Sequence, residues 1–249
     1  VIIGFIRAII RFLFLVVAST VTVSTMLLLS PFVKDKLAMG MKERQKWCIA
    51  MMRFLGVKII KKGNPNYQNI LYLSNHRSYI DPLAQFNHFN AFVLAKAEVR
   101  SWPLIGYGCS ISGVHFVKRE EKTSRANARK TIADIIKGGH SILIYPEGTT
   151  TDLPKTLPFK PSVFKMAVEH HVKIIPIAIE YQDPKDAWIG DDTFIRHFFQ
   201  TFAKKEIVCA IHYGPPMWEA DEEILKRKVQ NWVDAELTLM RKKWDLPLV

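Results

Sequence analysis

The hydrophobic and polar positions divide the chain into a long apolar head and a body of short alternating runs. Residues 12–33 carry no charge over 22 positions. As a helix this stretch would be about 33 Å long, enough to cross a hydrocarbon core of about 30 Å. Arg7 and Arg11 precede it, Lys34 and Lys36 follow it, and Pro31 predicts a stop or kink. A secretory signal would have a shorter apolar core and a small-residue cleavage site before the charged cluster, and neither is seen. The run is therefore read as a membrane-inserted segment, either a full span or a half-inserted hairpin. Residues 37–56 continue as an amphipathic helix. Leu37, Met41, Cys48, Met51, Met52 and Leu55 share a stripe, with Lys42, Glu43, Lys46 and Arg53 mostly off it. That stripe fits packing on a domain as well as a seat at a lipid interface. Residues 1–56 are thus expected to anchor the chain, and 57–249 to fold as one domain.

From residue 57 onward the pattern alternates between strand and helix periods. Strands are predicted at 57–61, 70–74, 91–95, 113–117, 141–145, 173–180 and 206–213. Helices are predicted at 81–89, 103–112, 122–137, 161–171 and 219–243, with 182–202 a long irregular connection. Strands separated by helical stretches predict an α/β fold, a single domain with a mainly parallel sheet flanked by helices.

Composition adds two points. Cys48, Cys109 and Cys209 are odd in number and far apart, which gives neither a disulfide framework nor metal-ligand spacing and suits a reducing compartment. Net charge is +12, and it is uneven. Residues 34–140 hold 19 Lys+Arg against 7 Asp+Glu, whereas residues 141–249 hold 14 against 16. A basic half beside an apolar anchor has the sign expected of a cytoplasmic membrane face. It fits anionic lipid or an anionic substrate better than nucleic acid, for which no binding module is found.

Three stretches carry candidate chemistry. His76 follows an apolar strand and Asp81 comes five positions later. A regular strand puts such a pair on opposite faces and a helix about 140° apart, but a turn can bring them together. There the carboxylate would hold one ring nitrogen and leave the other as a base. Asp81-Pro82 is equally a helix-start signal without chemistry. The second stretch is Tyr145-Pro146-Glu147-Gly148-Thr149-Thr150-Thr151-Asp152. It lies beyond a strand, where α/β proteins place ligand loops. The third runs from Gly113 to Arg119, preceded by Lys96-Ala97-Glu98, and its arginine has the planar fork that clamps phosphate. Adjacent His170 and His171 cannot both face one metal, and no phosphate-binding glycine loop or dinucleotide fingerprint is present.

In order and spacing these stretches resemble the four blocks of the glycerolipid (lysophospholipid) acyltransferase superfamily. Asn75-His76-Arg77-Ser78-Tyr79-Ile80-Asp81 is similar to its His-x4-Asp block, and Gly113 to Arg119 to its second. Tyr145 to Thr149 resembles the third, and Ile174-Ile175-Pro176-Ile177 the fourth. The resemblance implies that 57–249 is an acyltransferase catalytic domain, moving a fatty acyl group from an acyl carrier protein or coenzyme A thioester to a lysolipid hydroxyl. His76 would be the general base, oriented by Asp81. Arg77 would face the developing oxyanion or the substrate, and Arg119, Glu147, Gly148, Thr149 and Thr150 would hold the acceptor head group. No cofactor or metal is implied. The first expectation for the acceptor is 1-acyl-sn-glycerol-3-phosphate. Members that acylate glycerol phosphates usually carry arginine where this chain has Thr150. Asp152 and Leu157-Pro158-Phe159-Lys160 are similar to relatives that acylate lyso-ornithine lipids, which keeps that acceptor open. A basic membrane-surface protein without chemistry is the alternative of another class.

Overall fold

The computed structural model describes residues 2–102, 104–117 and 122–248, apart from the side chains of 122–128. Seven strands form one sheet, and all seven lie where the periodicity puts them. They are β1 (Val57–Lys62), β2 (Leu71–Ser74), β3 (Phe92–Lys96), β4 (Val114–Val117), β5 (Ile142–Ile144), β6 (Ile174–Tyr181) and β7 (Ile207–Tyr213). The spatial order is β1-β7-β6-β2-β5-β3-β4. Five neighbouring strands, β6-β2-β5-β3-β4, are parallel. β7 turns back antiparallel to β6 and pairs parallel with β1. The sheet is thus mainly parallel with a reversed edge.

Alternation along the strands divides the core into two layers. Tyr72, Ile175, Ile177 and Ile211 point to one face, and Leu71, Leu73, Ile174 and Ala178 to the other. The first face is covered by α1 (Ile2–Leu29), α2 (Lys36–Phe54), α3 (Ile80–Phe86), α4 (Ile105–Ser110) and α7 (Phe194–Thr201). The second is covered by α5 (Lys122–Lys137), α6 (Ser162–Glu169) and α8 (Glu222–Lys243). Each residue of β6 is buried, as a strand packed on both faces requires.

The connection expected to be irregular contains α7. Its sequence Phe-Ile-Arg-His-Phe-Phe-Gln-Thr is rich in aromatic strand formers and only eight residues long, which hides the helical period. Phe198 and Thr201 face inward one turn apart, after His197.

The head of the chain is a single helix that starts well before the uncharged run and stops ahead of Pro31. α1 is long and apolar enough to cross a membrane. One stripe of it, Ala8, Arg11, Leu15, Ser19, Val23 and Met26, is buried against the domain along its whole length. Arg7 and Arg11 are not free flanking charges. Arg7 donates to Ala203 O (2.7 Å), and Arg11 donates to Phe202 O (2.9 Å), Lys204 O (2.7 Å) and Lys205 O (3.1 Å). These carbonyls end or follow α7, where helix geometry leaves them without backbone partners. Two guanidinium groups therefore pin α1 to the domain.

α2 keeps most of its expected stripe, losing Leu37, which is exposed, and adding one charge. Arg44 is buried, its guanidinium 4.0 Å above the Phe86 ring, donating to Ser112 O and Ala91 O at 2.7 Å each. Burial lowers its pKa to about 10, so it stays charged at neutral pH. Arg44→Leu would leave both carbonyls buried and unsatisfied, an expected loss of about 2–5 kcal/mol. A shift in the urea midpoint would measure it; an unchanged midpoint would contradict the staple.

Candidate active site

His76 stands just beyond the carboxyl end of β2 and Asp81 is the second residue of α3, so a four-residue turn separates them. The turn folds the carboxylate back onto the imidazole, with His76 Nδ1 2.7 Å from Asp81 Oδ2. The same oxygen accepts the backbone N–H of Arg77 (2.6 Å) and Ser78 (2.9 Å), and Oδ1 accepts the Tyr181 hydroxyl (2.7 Å). Asp81 is fully buried with four donors aimed at it. An ionised carboxylate only accepts, so Nδ1 carries the ring proton and Nε2 keeps its lone pair. Nε2 makes no hydrogen bond among the described residues, and the ring lines the cavity described below. Tyr145 stacks on the imidazole at 4.0 Å between centroids. Its hydroxyl donates to Gln85 Oε1, and Gln85 donates on to Ser74 Oγ. Burial holds the Tyr145 and Tyr181 phenols well above their usual range, so both remain donors.

β5 neighbours β2, which brings the 145–152 stretch alongside. Glu147 Oε1 accepts His76 N (2.9 Å), its Oε2 accepts Leu157 N (2.8 Å), and Thr151 N donates to His76 O (3.0 Å). Burial raises the Glu147 pKa, and the two backbone donors oppose the rise. Gly148 adopts φ +78°, and a Cβ there would collide with Lys160 Nζ. The positive φ is what favours glycine here, since the end of the lysine side chain could swing away.

Two residues expected at the substrate are committed elsewhere. Arg77 is fully buried; it donates to Thr151 O (2.8 Å) and Glu180 Oε2 (3.0 Å), and it is not among the cavity-lining residues. Glu147 is buried, and each of its oxygens accepts a backbone N–H. Both shape the loops rather than face a head group, because a buried charge is stable only where partners surround it. Thr149 and Thr150 do line the cavity, but Thr150 donates its hydroxyl to Trp188 O (2.5 Å). Arg119 lies outside the described residues.

A cavity of about 620 Å³ opens beside His76. Its walls are mostly apolar and come from α1, α2, α3, β3, α4 and α7, including Val23, Trp47, Phe86, Val93 and Phe198. At the carboxyl end of β3, Lys96 and Glu98 contribute one charge of each sign, both exposed and without an ion pair among the described residues. Cys48 and Cys109 also line the cavity. Burial pushes the Cys48 thiol up to about 12 and the Cys109 thiol up to about 11, far from a reactive thiolate. Cys109→Ser should therefore keep turnover within about threefold; a collapse of turnover would indicate a covalent role.

The sequence profile of the acyltransferase family matches residues 56–180, half of the chain. The chain belongs to the acyltransferase family. The matched span runs from the residue before β1 to the penultimate residue of β6, and so takes in His76, Asp81 and the 145–152 stretch. Among curated proteins, a lyso-ornithine lipid O-acyltransferase of Brucella abortus is 28% identical, covering 90% of this chain and 93% of its own length. A 1-acyl-sn-glycerol-3-phosphate acyltransferase of Neisseria gonorrhoeae is 24% identical over 52% of this chain and 51% of its own. The crystal structure of the 1-acyl-sn-glycerophosphate acyltransferase PlsC from Thermotoga maritima superposes with a TM-score of 0.73. It covers 95% of this chain and 97% of its own at 20% identity, which shows a shared fold. As an acyltransferase, the chain has a site whose supporting residues were largely unmarked in its sequence. Tyr181, Gln85, Trp188 and Glu180 became visible only once α3 and the 182–193 loop were brought together at the carboxyl end of the central strands β2 and β6.

Proposed function

We propose that this acyltransferase moves a fatty acyl group from a thioester to the free hydroxyl of a lysolipid, with lyso-ornithine lipid as its acceptor. The observation that carries the reaction is the bare Nε2 of His76, backed by Asp81 and open to the apolar cavity. Nε2 takes the proton of the acceptor hydroxyl as its oxygen attacks the thioester carbonyl. Asp81 balances the imidazolium that forms. The tetrahedral intermediate collapses, the carbon–sulfur bond breaks, and the leaving thiolate takes the proton back from His76. The cavity volume is in the range of small-molecule sites, and its apolar wall suits an acyl chain.

Three observations support the acceptor. Thr150 stands where relatives that acylate glycerol phosphates usually carry arginine, and its hydroxyl is spent on Trp188 O. Lys96 and Glu98 offer one charge for a carboxylate and one for an ammonium, the two groups of an amino-acid head. The Brucella abortus relative named for that lipid covers nearly the whole chain. Acyl carrier protein and coenzyme A are both anionic and suit the basic half of the molecule equally.

α1 sets the place of the reaction. Its outward face exposes Ile3, Leu13, Val17, Val21 and Leu28, continued by Phe32, which is 85% exposed. An apolar strip of this length on a folded protein marks a membrane contact. Because the opposite stripe is pinned to the domain, the helix lies in one leaflet with the basic half at the cytoplasmic surface. Residues 1–56 then act as the anchor and 57–249 as the catalytic unit. Arg11→Met should leave vesicle binding intact and lower turnover, because α1 stays apolar but no longer closes the cavity; unchanged turnover would contradict that role.

The reaction is tested by supplying acceptor whose free hydroxyl is converted to a methyl ether. Label from the acyl thioester should reach the normal acceptor only. Label on the ether, or an acyl adduct on the protein, would refute direct transfer to oxygen.

A further inference from the structure

The inner face of α8 carries a charge that the reaction as described does not use. Leu225, Val229, Val233, Leu237 and Met240 pack on the sheet, and Arg241 follows them in the last turn with only 4% of its surface exposed. A guanidinium at that depth needs acceptors. Arg241 Nη1 donates to Glu180 Oε2 (2.9 Å) and to Asp152 O (3.4 Å), and its Nε donates to Pro247 O (2.7 Å). Glu180, near the end of β6, is itself buried, and its Oε2 is shared between Arg241 and Arg77. Its Oε1 accepts Tyr181 N. Arg77 in turn donates its backbone N–H to Asp81, accepts Trp188 N on its carbonyl and holds Thr151 O. One chain of charge-assisted bonds therefore runs from the carboxyl-terminal helix through Glu180 to the turn that sets His76 against Asp81.

We infer that Arg241 and Glu180 are positioning residues that fix the His76–Asp81 pair through Arg77. The inference rests on the acyl-transfer reading above. The physical reason is the two-sided grip on Arg77. Its side chain is buried with Nε unpartnered, so among the described residues its hydrogen bonds go to Thr151 O and Glu180 alone. Glu180 is in turn fixed by Arg241. Asp152 O and Thr151 O, both held by these arginines, belong to the loop that returns Thr151 N to His76 O. A shift at Glu180 thus reaches the imidazole from two sides, while neither arginine lines the cavity.

The experiment compares full-length wild type, R241Q, R241K, H76A and R241Q/H76A with labelled acyl thioester in membranes. R241Q should lower kcat about 10- to 100-fold, with KM for both substrates within about twofold, since misplacement costs rate rather than binding. R241K, which keeps the charge toward Glu180, should recover to within about threefold of wild type. R241Q/H76A should match H76A, because Arg241 acts only through His76. Wild-type kcat in R241Q, or an equal loss added to the residual rate of H76A, would overturn the inference and leave Arg241 a stability residue. Should R241Q not fold, E180D carries the test, since the shorter carboxylate cannot hold both guanidinium groups. Its kcat should fall with KM unchanged, and wild-type kcat would overturn the inference. An inactive wild type would instead count against the acyl-transfer reading, which keeps the two failures apart.

Discussion

Replacing His76 by alanine is expected to lower acyl transfer about 10²- to 10⁴-fold, the range supplied by one positioned general base. An alcohol is a weak nucleophile while it keeps its proton, and Nε2 of His76 is the cavity-lining base with its lone pair free. Folding and membrane binding should persist. The ring is partly exposed, and the exposed apolar face of α1 is remote from it in sequence. Asp81→Asn should fall as far for another reason. Asp81 faces four donors, and an amide would turn its own N–H groups toward some of them. The imidazole would then lose the partner that fixes its tautomer. Labelled thioester turnover, with circular dichroism and vesicle sedimentation as controls, reads all of this. Undiminished turnover in H76A would sink the mechanism.

Thr150→Arg should carry the second large effect, this one a gain. A guanidinium at the cavity wall would restore a charge-assisted contact to phosphate, worth about 1.5–3 kcal/mol. That corresponds to a rise of about 10- to 150-fold in the preference for lysophosphatidic acid over lyso-ornithine lipid. Losing the bond from Thr150 to Trp188 O affects the protein with either acceptor alike, so it cancels in their ratio. The measurement is the ratio of kcat/KM for the two acceptors in variant and wild type. A ratio that stays level or falls would show that position 150 does not read the head group.

Much of this was legible before the fold was seen. The seven strands follow from apolar runs bounded by turns, because β-branched residues such as those of Ile174–Tyr181 leave little choice. His76 and Asp81 were legible because the 75–81 stretch resembles the His-x4-Asp block of the family; their spacing alone fitted a plain helix start as well. The supporting shell was not. Tyr181 reaches Asp81 across 100 positions and Arg241 reaches Glu180 across 61, separations that no local pattern reports. Arg77 and Glu147 looked like substrate ligands because charge beside a motif suggests contact. Only burial shows that Glu147 is held by backbone N–H groups and Arg77 by Thr151 O and the Glu180 carboxylate. Arg11 misled in the same way: a charge before an apolar run reads as a membrane flank until the carbonyls after α7 are seen beneath it.

The most direct test of the account offers membranes carrying the protein equal amounts of lyso-ornithine lipid and lysophosphatidic acid, together with one labelled acyl thioester. Label should accumulate in ornithine lipid, and H76A should abolish it. Label appearing chiefly in phosphatidic acid would contradict the acceptor, and label in neither would contradict the function.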